Sequence, residues 1–169
     1  AETGAFHILN HATFKAALFL VAGIVAHEAG TRAMADLGGL WRDLPITAVV
    51  ATVAALGMAG VPPFNGFYSK EFLFEAAVDF AESAGGLAWV VPAVAVFGSV
   101  FTFLYSIRFL MLFFGEKPDA LGEVHSPPIS MTAPAALLAV VAGAIGIAGV
   151  TATVGVHVVE IENFVGRVV

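Results

Sequence analysis

Two adjacent prolines, Pro62 and Pro63, interrupt a stretch at about 45–78 that otherwise reads as one long apolar helix. Each proline removes a backbone N–H and crowds the preceding turn, so a helix cannot run through the pair undisturbed. Gly60 and Gly66 flank the break, and a cation, Lys70, follows it. Composition says which solvent this break meets. The chain is 59% hydrophobic and only 12% charged, with a mean hydropathy of +0.93. A soluble domain carries about 25% charged and about 45–50% apolar residues. A chain this poor in polar groups cannot cover a water-facing surface, so the break belongs in a bilayer. There, freed backbone groups and an amine are tolerated only when buried in protein or lining a wet cavity.

A helix crossing the hydrocarbon core needs about 20 apolar residues. The stretches at about 5–26, 45–78, 87–114 and 133–156 qualify, the second divided at Pro62-Pro63. The predicted fold is therefore an all-α polytopic membrane protein of about four spans, one of them a broken helix. Pro45 and Pro134 fall near helix starts, as does Pro92, where a missing N–H is tolerated. The connection at 26–44 reads as an amphipathic surface segment closed by Gly38-Gly39, and 115–130 as a plain loop. Residues 1–156 form one transmembrane domain. The tail at 157–169 reads as the start of a further helix. The start at Ala1, without Met or a basic leader, reads as a piece of a longer polytopic subunit. Basic residues mark the connections at 26–44 (Arg32, Arg42) and 115–130 (Lys117), with Arg108 close by. The loop at 79–86 has acids and no base, so the two basic connections are expected on the cytoplasmic side.

Several functions are excluded. A net charge of −6 argues against nucleic acid as a partner, which requires basic patches. Cysteine is absent, which removes disulfides and thiolate metal sites. No nucleotide-binding glycine motif, hydrolase elbow or metal-ligand spacing appears, so no cofactor is expected and the chain does not read as an enzyme.

Ionisable residues inside a membrane span are functional by default. His7, His11 and Lys15 recur at i, i+4 and i+8 and share one helix face, with Asn10 and Thr13 adding polarity nearby. Removing an amine from water disfavours its charged form, and histidine titrates near neutrality, so such a row can take up and release protons. A structural polar seam, with His7 at the interface, is the alternative. Lys70 carries the same argument beside the break, against a lysine that snorkels to the surface. Glu71, Glu75, Asp79 and Glu82 form a second row, the later ones reading as a solvated exit face and Glu71 as a candidate counter-charge. Tyr105 and Arg108 read as an interfacial anchor or as accessory groups.

His7-Ile8-Leu9-Asn10-His11-Ala12-Thr13-Phe14-Lys15 resembles a stretch of the proton-translocating antiporter-like membrane subunits of NADH–quinone oxidoreductase and of Mrp sodium/proton antiporters. Gly57-Met58-Ala59-Gly60-Val61-Pro62-Pro63-Phe64-Asn65-Gly66-Phe67-Tyr68-Ser69-Lys70-Glu71 resembles the broken-helix motif of the same family. Gly30-Thr31-Arg32 and Leu37-Gly38-Gly39-Leu40 look most like the A subunit of the Mrp type. The match covers about residues 7–75 and is looser over 105–108. The resemblance implies the later part of an antiporter module, holding most of its second five-helix repeat. His7, His11 and Lys15 would match the central relay helix, and Lys70 the broken-helix lysine. It further implies a prokaryotic plasma-membrane protein whose partners are lipid, protons, sodium and other subunits of a complex. A proton-pumping subunit of a redox-driven complex and a non-transporting scaffold stay open as alternatives.

Overall fold

The computed structural model describes the backbone of residues 2–168 and the side chains of residues 3–152. Five α-helices account for most of it: α1 (Glu2–Glu28), α2 (Pro45–Ala59), α3 (Asn65–Ala84), α4 (Val90–Phe114) and α5 (Ile129–Val168). Short 3-10 turns at Met34–Asp36 and Gly86–Trp89 interrupt two of the connections. Three segments are long and apolar enough to cross a membrane: Thr3–Glu28, Gly86–Phe114 and Ile129–Ala152. With the shorter apolar α2, this agrees with an all-helical fold of about four spans. The expected tail at 157–169 has its side chains outside the described residues.

Packing centres on α2, which touches every other helix. Its buried face is built from Ala48, Ala51, Ala54, Ala55 and Met58. Small side chains at helical spacing let neighbouring backbones approach closely, the usual way helices associate in lipid. Phe14, Ala17, Val21 and Ile24 of α1 fill one side, Leu110 and Phe113 of α4 another, and Ala135 and Ala139 of α5 a third. By contrast, the apolar window of α4 is almost wholly uncovered, with Val94, Phe97, Val100, Phe101 and Leu104 facing outward.

The connection between α1 and α2 is more than a surface segment. Leu40 and Trp41 donate their N–H groups to the carbonyls of Leu112 and Phe113, at 3.2 and 3.1 Å. These are C-terminal carbonyls of α4 that lack partners within the helix. Lys117 binds Asp43 at 2.9 Å across the same region. The two basic connections therefore lie at one end of the bundle, as the charge distribution requires.

Residues 60–64, between α2 and α3, are non-helical. α2 ends in a Schellman arrangement. Gly60 takes the left-handed conformation (φ +81°), its N–H reaches the Gly57 carbonyl, and the Val61 N–H reaches the Leu56 carbonyl at 3.0 Å. The prolines follow directly, where the helix has already stopped. At 15 residues α2 is shorter than a full crossing. α3 runs to Ala84, beyond the expected limit near Val78, and its rows of acids keep it out of the set of apolar spans.

Candidate functional site

α1 and α3 meet along a polar, antiparallel seam. His7 Nδ1 lies 3.1 Å from Ser69 Oγ. Three residues further along α1, Asn10 Oδ1 accepts a 2.9 Å hydrogen bond from Asn65 Nδ2. Asn65 Nδ2 also reaches Thr13 Oγ1 at 3.1 Å. Phe6 and Phe72 extend the register with an edge-to-face ring pair at 5.9 Å. Asn10, Asn65 and Ser69 are buried. Neutral amides and hydroxyls are costly in such a place unless they satisfy one another. The seam does this well but incompletely, since Asn65 Oδ1 has no hydrogen-bond partner among the described residues.

The helix face expected to hold the titratable row forms as the spacing requires. His7 and His11 stack obliquely with ring centroids 5.9 Å apart, and His11 lies 5.2 Å from Phe14. His7 is half-buried and His11 exposed. Lys15 sits half-buried beside an aromatic and sulfur environment rather than a carboxylate. Its Nζ is 3.9 Å from Met58 Sδ and 5.5 Å from the ring centroids of both Phe19 and Tyr105. Ring faces attract a desolvated cation. Among the described residues Lys15 has no ion pair. Tyr105 donates to the same sulfur at 3.3 Å, a contact not expected of an interfacial anchor. Arg108 is exposed and joins none of these groups.

Lys70 folds back over the end of α2. Its Nζ donates to the Ala59 carbonyl at 3.1 Å. A cation there satisfies an orphan carbonyl and meets the negative end of the helix dipole. The contact depends on Gly60, because a Cβ at that position would lie 2.9 Å from Lys70 Cδ. Lys70, Glu71, Glu75 and Ser99 line an open cleft of about 580 Å³ that also reaches Ala59 and Gly60. Lys70 is half-buried and Glu71 exposed, so an amine and two carboxylates line one open cleft, with no ion pair between them among the described residues. A larger cleft of about 1030 Å³ lies toward the C-terminal end of α1, among Phe19, Gly23, Met34, Phe109 and Met131, and holds none of the expected site residues.

Close backbone approach surrounds the break. A side chain on Gly66 would run into the Gly57 carbonyl, and one on Gly146 of α5 into the Pro63 carbonyl. Pro62 and Pro63 are themselves exposed, while α5 packs over the residues that follow them. Asn65 and Ser69 were not singled out from the sequence. Their i, i+4 spacing directly after the break was the available signal, since it puts two polar groups on one face of α3.

The family model for "NADH:quinone oxidoreductase/Mrp antiporter, TM" matches residues 1–102, which include α1, the break and Lys70. The chain belongs to this family. Among curated relatives, Na(+)/H(+) antiporter subunit A1 of Staphylococcus haemolyticus (strain JCSC1435) is 45% identical over 149 residues, covering 84% of this chain and 19% of that protein. The subunit A1 of Staphylococcus aureus (strain Newman) is 46% identical over 141 residues, covering 79% of this chain and 18% of its own length. The chain thus spans about a fifth of the curated relatives it matches. Two solved structures are similar. One is the Mrp complex from Dietzia sp. DQ12-45-1b, with TM-score 0.70, 42% identity, and 87% of this chain and 16% of that one covered. The other is the membrane-bound sulfane sulfur reductase, described as an archaeal respiratory membrane complex. It has TM-score 0.75, 34% identity, and 86% of this chain and 23% of that one covered. This member of the NADH:quinone oxidoreductase/Mrp antiporter family is a multi-span membrane protein, as its helices and relatives agree.

Proposed function

We propose that the chain is the later transmembrane part, residues 1–156, of a membrane subunit in a monovalent cation/proton antiporter, moving protons against sodium. It is a transporter subunit of a prokaryotic cell membrane, working with lipid and with the other subunits of a multisubunit complex. The two basic connections face the cytoplasm. Protons pass along His7, His11 and Lys15 of α1 and reach the Lys70 region of α3. α2 and α3 act as two halves of one interrupted crossing, with Gly60, Pro62, Pro63 and Gly66 keeping the break open. Glu71 and Tyr105 are accessory groups, and Arg108 marks the inner end of α4.

One observation carries this reading. The titratable face of α1 meets α3 at His7 and Ser69, one residue before the lysine that crosses the end of α2. Structural polar seams do not need a lysine among aromatic rings and a second lysine in an open cleft with two carboxylates. Between His7, His11 and Lys15 no direct hydrogen bond forms among the described residues, so transfer along α1 runs through intervening water. The test is Lys70→Ala in the assembled complex, reconstituted in vesicles with a proton-sensitive dye. The expected result is loss of sodium-driven proton movement with normal assembly; unchanged exchange rejects the assignment.

A second reading has its own support. The similarity to the sulfane sulfur reductase complex favours the same membrane chemistry coupled to a redox reaction housed in other subunits. Sodium-driven proton movement in vesicles without any electron donor separates the two.

A further inference from the structure

We infer that Ser69 is a positioning residue for His7, fixing which ring nitrogen of that histidine is free to exchange a proton. It assumes the proton path proposed above. Ser69 is fully buried. Its Oγ lies 3.1 Å from His7 Nδ1 and 3.4 Å from the Gly66 carbonyl. A hydroxyl both donates and accepts, so it can pair with Nδ1 in either ring tautomer. Nδ1 is engaged in both cases, and Nε2 is the nitrogen left to face the proton path. The two ring nitrogens would otherwise compete, and a ring free to flip would present its acceptor in two directions.

The seam holds this geometry in place. Asn65 lies on the same face of α3 as Ser69, and its bonds to Asn10 and Thr13 fix the register of α3 against α1. That register brings Ser69 to His7 rather than to a neighbour one turn away. Gly66 supplies the carbonyl that orients the hydroxyl, and it must be glycine because of its approach to Gly57. A hydroxyl at this position thus serves the histidine on the other helix, although the cation next in sequence draws the eye.

The test is a double-mutant cycle in the intact complex, combining Ser69→Ala with His7→Gln. Ser69→Ala alone is expected to slow exchange about three- to tenfold, the factor that loss of one net hydrogen bond supplies. In the His7→Gln background the same change should have almost no further effect, since Ser69 acts through His7. If Ser69→Ala slows exchange equally in both backgrounds, or not at all while His7→Gln is impaired, the inference fails and the proton path stands. If His7→Gln exchanges normally, the path through His7 fails and the inference with it. Nitrogen-15 spectra of the histidine-labelled complex give a readout independent of transport. The signal lost in His7→Gln should report a single ring tautomer in the native complex and a mixture in Ser69→Ala. A tautomer mixture in the native complex overturns the inference whether or not the serine variant transports. Should Ser69→Ala fail to assemble, Ser69→Cys keeps nearly the same volume with a weaker hydrogen-bonding group. It should move the spectrum the same way, and an unmoved spectrum rejects the idea.

Discussion

Placing a methyl group on Gly60 strikes two features at once, and the structure separates their contributions. The residue has φ +81°, a conformation that costs an ordinary residue roughly 1–2 kcal/mol. The new Cβ would also lie 2.9 Å from Lys70 Cδ and 3.4 Å from its Nζ. Lysine is flexible, so the clash resolves by swinging the side chain away from the Ala59 carbonyl. That removes a charge-assisted hydrogen bond, a loss of about 1.5–3 kcal/mol, with the lower end appropriate to a half-buried amine. Gly60→Ala should therefore cost about 2.5–5 kcal/mol in the native background. In a Lys70→Met background the amine and its bond are already gone. A thioether chain yields more easily, and only the backbone cost of about 1–2 kcal/mol remains. The assay is the thermal unfolding midpoint of the purified complex in detergent, for the two single variants and the double. The midpoint depression caused by Gly60→Ala should fall by roughly half or more when Lys70 is absent. Equal depressions in both backgrounds would refute the claim that Lys70 caps α2 across Gly60.

Three further outcomes are expected. Gly66→Ala forces a side chain against the Gly57 carbonyl and should cost about 1–3 kcal/mol of overpacking, read as lost assembled complex on a native gel. Asn65→Leu leaves Asn10 Oδ1 and Thr13 without their shared donor and should lower the complex's unfolding midpoint by the equivalent of about 1–3 kcal/mol, with Asn65→Asp worse because it buries a charge. Lys117→Ala should change stability by less than about 1 kcal/mol, because its pairing with Asp43 is largely exposed. A large loss there, in the same thermal assay, would mean that the two connections depend on that ion pair.

Much of the fold was written in local pattern. Long apolar runs locate α1, α4 and α5, and Pro62-Pro63 with Gly60 locates the end of α2, since both act through the backbone of their own segment. The titratable row on α1 follows from helical spacing alone. The polar seam does not. Asn10, Thr13, Asn65 and Ser69 acquire meaning only from the register of α1 against α3, which is set by packing between residues far apart in sequence. Tyr105 illustrates the same limit. Its place late in a span suits an interfacial anchor, yet the packing of α4 against α2 brings it to Met58, beside the Lys15 amine. The capping of Ala59 by Lys70 was hidden for a different reason. A side chain in the second turn of α3 that reaches back past the break depends on the turn's path, and proline and glycine fix where a helix stops more firmly than where the chain goes next.

The central claim is that the amines of Lys15 and Lys70 belong to one internal wet path for protons. A structure of the intact complex, at a resolution that shows ordered water, tests it directly. An unbroken file of waters and polar side chains should link the Lys15 amine, by way of the histidines, to the recess at Lys70. Dry, closely packed side chains between them, or an amine opening onto bulk solvent at the protein's edge, would contradict it.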